Sequence, residues 1–557
     1  MADLDLNLDL DRIPDEATRQ AVRSLLNLVE QLVAENRTLR EENQRLKDEI
    51  NRLKGEKGTP TFPARSSAAS RAADLSSETE RRQSKPWQKR PKGDRLFIDR
   101  TQLLPLDPSS LPPDAQFRGY EDVVVQELHF FVETILFRKE VYYSPTMRRS
   151  YRASLPPGYT GAYGPGPQSL ALWLAYAGGM SQPLIHALLT DAGLLISAGQ
   201  VSRFLTEELA LFHAEANAVC RAGLASSPWQ QLDETRTPVD GHSHACHTLC
   251  NPLYTVYHTT PTKDRLAVLD VLRAGEPRTF RLDFQAFAYL EGAGVSRKLL
   301  RQLQAFPAAP EPEGVFEEAP FLSLLEQHLP RAGPQQRQRI LEAGLLAAYR
   351  AQERIPVVDT LVCDDAPQFG SVTRRVALCW VHEGRHYKKL CPYLPPHRKV
   401  LEEFREEFWR YYRELRAYQQ EPTPAEAERL SAAFDRLFAT RTGYELLDVR
   451  IAKTEAKKRE LLVALEHPEV PLHNNTAELA ARGRVRKRDV SFGPRSEAGT
   501  RAWDTFQTLA ATARKLGISF AHWLADRVSG ANQMPSLAQG IEERAQCLNL
   551  GGTWQTE

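Results

Sequence analysis

Cysteine is scarce in this chain and scattered: seven residues in 557, an odd number, with none between positions 58 and 219. That usage excludes a disulfide framework and points to a reducing compartment. Long hydrophobic runs are missing too. No apolar stretch approaches the length of a membrane span, and the opening Met-Ala-Asp-Leu-Asp-Leu-Asn-Leu-Asp-Leu is acidic and unlike a secretory signal, so no membrane partner is expected. A bulk excess of basic charge is also lacking. The net charge is +1, so any nucleic-acid contact must come from local patches. What is present is a 42% hydrophobic fraction, enough for real cores, in a chain long enough for roughly two to four domains.

Three acids stand in an informative order. Asp233 follows Trp229, Gln230, Gln231 and Leu232, a short run that reads as a strand. Asp364 ends the apolar run Val357, Val358, Leu361 and Val362. Glu478 lies in His473-Asn474-Asn475-Thr476-Ala477-Glu478, one turn into a predicted helix. Alone, Asp233 reads as a cap or turn residue. Glu478 alone reads as the capping-box partner of Asn475, since Asn-x-x-Glu is that signature. Together, two strand-end aspartates and a helical glutamate can hold a pair of divalent ions for phosphodiester displacement. Asn475 then caps the helix that presents Glu478, and His382 is expected near the same site. The basic residues Arg482, Arg484, Arg486, Lys487 and Arg488 follow Glu478 and suit a nucleic-acid backbone better than a merely solvated helix face.

Residues 1–57 read as a leucine-zipper coiled coil. Leu25, Leu32, Leu39, Leu46 and Leu53 recur every seventh residue as d positions, with Val22, Val29, Asn36, Asn43 and Ile50 at a. This pattern favours a parallel two-stranded coil, and Glu35, Glu42 and Glu49 at g face Arg40, Lys47 and Lys54 at the partner's e positions. A homodimer through residues 22–53 is expected, with a coiled-coil contact to another protein as the alternative. Residues 58–99 read as a flexible linker, basic near Arg81-Arg82, Lys89 and Arg90. Residues 100–165 form a small mixed segment with strand-like stretches at 123–131 and 140–143.

Residues 166–225 read as a helix-turn-helix-like DNA-binding domain. The helices Gln182 to Asp191 and Ala198 to Leu209 are joined by a turn containing Gly193, with Ser197 as N-cap. Gln200, Ser202 and Arg203 fall on the exposed face; an ordinary helical hairpin is the alternative. From 226 to 530 the pattern becomes a mixed sheet flanked by helices, with helical insertions about 285–350 and 396–465, and a tail at 531–557. A hairpin turn is expected at Val239-Asp240-Gly241, a strand over His247 to His258, and a strand or helix start over Arg265 to Leu272. His242, His244, Cys246, His247 and Cys250 crowd together without clean zinc-ligand spacing. Cys379, His382 and His386 have ligand-like spacing but make only three ligands.

These motifs together resemble the insertion-sequence sixty-six (IS-sixty-six) family of bacterial DDE transposases. The match is carried by Asp233-Glu234-Thr235, Asp364 with Phe369 five residues on, Cys379-Trp380-Val381-His382-Glu383-Gly384-Arg385-His386, the block from His473 to Glu478, Arg486-Lys487 and Phe492-Gly493. It spans about residues 165–530. The resemblance implies an α/β multidomain protein with an RNase H-like catalytic core. It implies strand cleavage and strand transfer at Asp233, Asp364 and Glu478 with two Mg2+ ions, Mn2+ substituting. It further implies recognition of terminal inverted repeats and target DNA, accessory transposition proteins and a bacterial cytoplasmic, nucleoid-associated setting. Gln200, Arg203, Arg482, Arg486, Lys487 and Arg488 are the expected DNA contacts. The chain departs from the family in lacking the cysteine-paired zinc motif, in a long stretch between the first two acids, and in Asp364-Asp365 where the family tends to have Asp-Gly; Asp365 is the alternative second acid. Two other outcomes fit the same residues: a catalytically silent dimeric DNA-binding regulator derived from such an enzyme, and a structure-selective nuclease.

Overall fold

The structure is a computed structural model that describes residues 13, 15–53, 98–104, 106, 120–125, 131–159, 161–309, 314–548 and 550, with backbone alone at 51–53. Nearly all of the expected linker at 58–99, and the end of the tail, lie outside the described residues. No helix among them is long and apolar enough to cross a membrane.

Helix α1 (Glu16–Leu53) is capped by the Asp15 carboxylate, which accepts from the Thr18 amide at 2.7 Å. The face it buries is not the zipper seam. Leu26 and Glu30 are buried, whereas Leu25, Leu32, Leu39 and Leu46 are exposed. After a two-stranded hairpin, β1 (Val141–Ser144) and β2 (Arg149–Arg152), come four helices. They are α2 (Pro165–Tyr176), α3 (Gln182–Asp191), α4 (Ala198–Thr206) and α5 (Ala210–Ala225). The Ser197 hydroxyl caps α4 by accepting from the Gln200 amide at 3.2 Å. Helix α4 stops at Thr206, short of the expected Leu209, because the chain turns extended at Glu207.

The central sheet begins with three antiparallel strands, β3 (Trp229–Val239), β4 (His242–Cys250) and β5 (Thr255–Thr260). Two later strands complete it: β8 (Thr360–Cys363) pairs parallel with β3, and β9 (Arg375–Leu378) parallel with β8. The strand order is β5-β4-β3-β8-β9. This mixed sheet flanked by helices is consistent with an RNase H-like core. The β3–β4 turn is the expected Asp240-Gly241, both with positive φ (47° and 79°), the pair a two-residue hairpin needs to match strand twist. The single strand expected over His247 to His258 is instead two strands. Asn251 breaks it, its side chain accepting from the Leu253 amide at 2.9 Å to make a turn.

Between β5 and β8 lie α6 (Arg265–Leu272), the short pair β6 (Thr279–Phe280) and β7 (Phe316–Glu317), α7 (Phe284–Gly292), α8 (Arg297–Gln304), α9 (Glu318–His328) and α10 (Pro334–Ala351). After β9 come α11 (Trp380–Lys388), α12 (Pro395–Tyr418), α13 (Pro424–Phe438) and α14 (Glu445–Glu455), then α15 (Asn475–Ser491), α16 (Glu497–Lys515), α17 (Phe520–Val528) and α18 (Leu537–Cys547). One large apolar cluster joins α2–α10 and α16–α18 to the sheet; a second, rich in aromatics, fills α11–α14. Edge strand β5 is sealed by α16. The Thr512 hydroxyl accepts from the Thr255 amide at 3.2 Å, the Thr508 hydroxyl from the Tyr257 amide at 3.0 Å, and the Asp504 carboxylate from the Thr259 amide at 2.7 Å.

Candidate active site

β3 and β8 run side by side, with Gln231 opposite Val362. Carrying that register two residues forward sets Asp233 level with Asp364. Asp233 lies inside a long strand, not at a strand end as its sequence suggests, because β3 continues into the hairpin with β4. Asp364 follows the last residue of β8, and its carboxylate accepts from the Ala366 amide at 3.2 Å. Asp365 points elsewhere: it is exposed and ion-paired to Lys457.

Glu478 is delivered by a stitched loop. The Asn474 side chain donates to the Leu232 carbonyl at 2.7 Å, and the Gln231 side chain to the His473 carbonyl at 2.8 Å. From the other side, the Trp380 amide donates to the Leu472 carbonyl and the Asn474 amide to Cys379 Sγ, at 3.0 and 3.2 Å. The start of α15 is therefore clamped between β3 and the start of α11. The expected capping box is not formed. The N-cap is Asn474, not Asn475, and its side chain is committed to the sheet. Asn475 is the first helical residue and is buried.

Asp233 feels both of the other acids. Burial and then the charge of Glu478, with a further contribution from Asp364, push Asp233 up to about 7. Glu234 is raised by burial, against the opposing influence of the Gln368 side chain and of Lys263, 3.6 Å away. Such crowding is what a bound cation relieves, and an all-carboxylate set suits hard ions such as magnesium or manganese.

His382 and Arg385 lie three residues apart on α11, one turn, and both reach Glu478. Arg385 donates to Glu478 Oε2 at 2.7 Å, and His382 Nε2 lies 3.5 Å from Oε1. Burial holds the His382 imidazole below its usual range, with Arg385 adding to that. Ligand atoms of Cys379, His382 and Glu478 fall within 4.8 Å of one another, the one such cluster among the described residues. His386, the third member of the sequence triplet, does not join it. Nor do the histidines and cysteines of 242–250 converge. Arg385 was the residue that spacing could have revealed: it shares a helical face with His382.

The basic run after Glu478 divides between two faces. Arg484 is fully buried on Asp504, Gln507 and Thr259, at 2.8, 2.7 and 2.6 Å. Lys487 is buried and donates to the Met180 carbonyl at 2.7 Å; burial lowers it to about 8. Lys487, expected as a DNA contact, packs inward with Arg484, since i and i+3 residues share a face. Arg486 is exposed, Arg482 half-buried, and Arg488 half-buried with one arm on the Arg236 carbonyl at 2.6 Å. Positions 478, 482 and 486 fall four apart along α15. In the four-helix region Arg203 is exposed and donates to the half-buried Gln200 side chain.

Comparison with known proteins places residues 346–502 under the model described as Transposase IS66 family. That span holds Asp364, Arg385 and Glu478 and begins after Asp233. An uncharacterized protein, y4jO, from Sinorhizobium fredii (strain NBRC 101917 / NGR234) is 36% identical over 309 residues, covering 55% of this chain and 94% of that protein.

Proposed function

The chain belongs to the IS66 transposase family, and from that premise we propose that it cleaves and joins DNA at a site made by Asp233, Asp364 and Glu478. The observation that carries the reading is electrostatic: Asp233 stands close enough to the other two acids for their charges to raise it. Asp233, half-buried on β3, feels the charges of Glu478 and Asp364, which come from α15 and the end of β8. Magnesium is the ion this set would hold, with manganese as substitute. A bound pair activates the attacking oxygen and stabilises the leaving one.

The chain's own residues supply the rest by positioning. Gln231, Asn474 and Cys379 fix the loop that carries Glu478. Arg482 and Arg486 continue from Glu478 along α15 and would follow the phosphate backbone; Arg488 stands beside them. Gln200 and Arg203 on α4 would contact the terminal inverted repeats as a helix-turn-helix. Two copies would pair through the 22–53 seam of α1, with accessory proteins and a bacterial nucleoid setting as the family implies. Residues 226–530 would form the catalytic domain, preceded by the DNA-binding helices of 166–225.

The test uses purified protein, magnesium and end-labelled DNA from the element's own termini. Glu478→Gln is expected to abolish cleavage and joining while DNA binding persists. Chemistry retained in that variant overturns the assignment of the third acid. Wild-type binding without any cleavage would favour the silent regulator, and cleavage of branched DNA without joining the nuclease.

A further inference from the structure

Glu478 has a side chain only 9% exposed, yet it lies beside other carboxylates and carries a negative charge to be compensated. Leaving a buried carboxylate without a counter-charge is costly. Arg385 meets that need from α11 at 2.7 Å, with its other arm 3.0 Å from His382 Nε2. Its own side chain is 36% exposed, so the guanidinium has a path outward. The oxygen it occupies belongs to the carboxylate that a divalent ion would also claim. The guanidinium holds Oε2 alone, but a divalent ion on the same carboxylate would stand within a few ångströms of it, and the repulsion between the two positive charges sets them in competition. Once displaced, the planar fork of an arginine is suited to a phosphate.

We propose that Arg385 is a placeholder for the metal ion. It holds Glu478 in its ligating pose while no ion is bound, yields the carboxylate when the ion arrives, and then turns to a phosphate of the bound DNA. The idea rests on the acid-site reading above. Before the ion binds, Arg385 is a positioning residue; afterwards it touches substrate. The two roles predict changes of opposite sign, which a purely structural role would not give.

The test is calorimetric titration of the full chain with Mn2+ alone at pH 8 and low ionic strength, for wild type, Arg385→Ala, Arg385→Lys and Asp233→Asn. Arg385→Ala is expected to bind Mn2+ about tenfold tighter than wild type, the worth of one lost charge-assisted hydrogen bond. Restoring the positive charge with Arg385→Lys returns affinity toward wild type. At saturating Mn2+, cleavage by Arg385→Ala falls by about a hundredfold, as when one donor to the reacting charge is lost. Mn2+ binding no tighter in Arg385→Ala than in wild type overturns the placeholder role. Wild-type binding that survives unchanged in Asp233→Asn overturns the acid-site reading instead. Should the alanine variant fail to fold, Arg385→Gln, neutral and still a donor, is measured in its place and read the same way.

Discussion

Helix α11 meets two very different surroundings. Toward the sheet it presents Cys379, His382 and Arg385 to a cluster of acids whose charges oppose one another. Toward α12 and α13 it presents Trp380, fully buried among Phe408, Tyr411, Phe434 and Phe438, with ring centroids 5.5 to 6.5 Å away. The Trp380 indole N–H donates to the Leu461 carbonyl at 2.8 Å, so even its polar atom is satisfied. A side chain on Gly384 would come within 2.5 Å of Trp409, so glycine there lets the helix sit flush on the aromatic ring. One side is satisfied packing, the other electrostatic crowding held in place by that packing. The difference teaches where this fold keeps its stability and where it gives stability up.

The sharpest way to break the comparison is on the packed side. Trp380→Ala is expected to cost about 3–5 kcal/mol, measured by urea unfolding, because it removes the centre of the aromatic cluster. It also loosens the helix that carries Arg385, so cleavage should fall with stability.

On the crowded side the sign should reverse. The Asp233 acid, raised from 3.8 to about 7 in the fold, favours its protonated form. It therefore supports folding fully below about pH 4, and that support is lost as pH rises through 7. In chelator at pH 8, Asp233→Asn should be more stable than wild type by on the order of 2–4 kcal/mol while losing cleavage. The gain should shrink toward zero as the pH is lowered to 4. Equal stability at pH 8 would mean that the acids do not repel as described.

The smallest effect sharpens the division within the basic run. Arg486→Ala should weaken DNA binding and lower the salt slope by about one. Lys487→Met should leave the slope unchanged, since its ammonium is already inside the fold. A matching drop in both would contradict the inward placement of Lys487.

Much of the fold was legible because its signals are local. Asp240-Gly241 made the hairpin, Ser197 capped α4, and the acids singled out include two, Asp364 and Glu478, whose charges Asp233 feels. What sequence concealed is long-range. Asn27 on α1 bridges the Gly443 carbonyl and the Glu445 amide, both at 3.1 Å, at the start of α14. Glu30 accepts from the Tyr393 and Leu394 amides at 3.0 and 2.7 Å, at the start of α12. Both are helix caps supplied from hundreds of residues away, where no spacing rule reaches. The heptad pattern marked Leu25, Leu32, Leu39 and Leu46, which are exposed, but not the neighbouring face with Leu26 and Glu30, which is docked. Likewise, five basic residues in seven positions looked uniform, because only the packing of Trp503, Asp504 and Gln507 decides that Arg484 turns inward.

The contact between α16 and β5 has a consequence for how the chain tolerates change. Two residues of strand advance about 6.6 Å and four residues of helix about 6.0 Å, so hydroxyl and carboxylate acceptors four apart can meet alternate strand amides. That near-match works only in one alignment. A single inserted residue between Asp504 and Thr512 would break the four-residue spacing of the acceptors and leave part of the strand edge open. Between β5 and β8 the helices α6–α10 are held by apolar packing, so only the turns that join them can lengthen or shorten without such a loss. Natural variation in length should therefore gather in the turns between α6 and α10 and avoid α16.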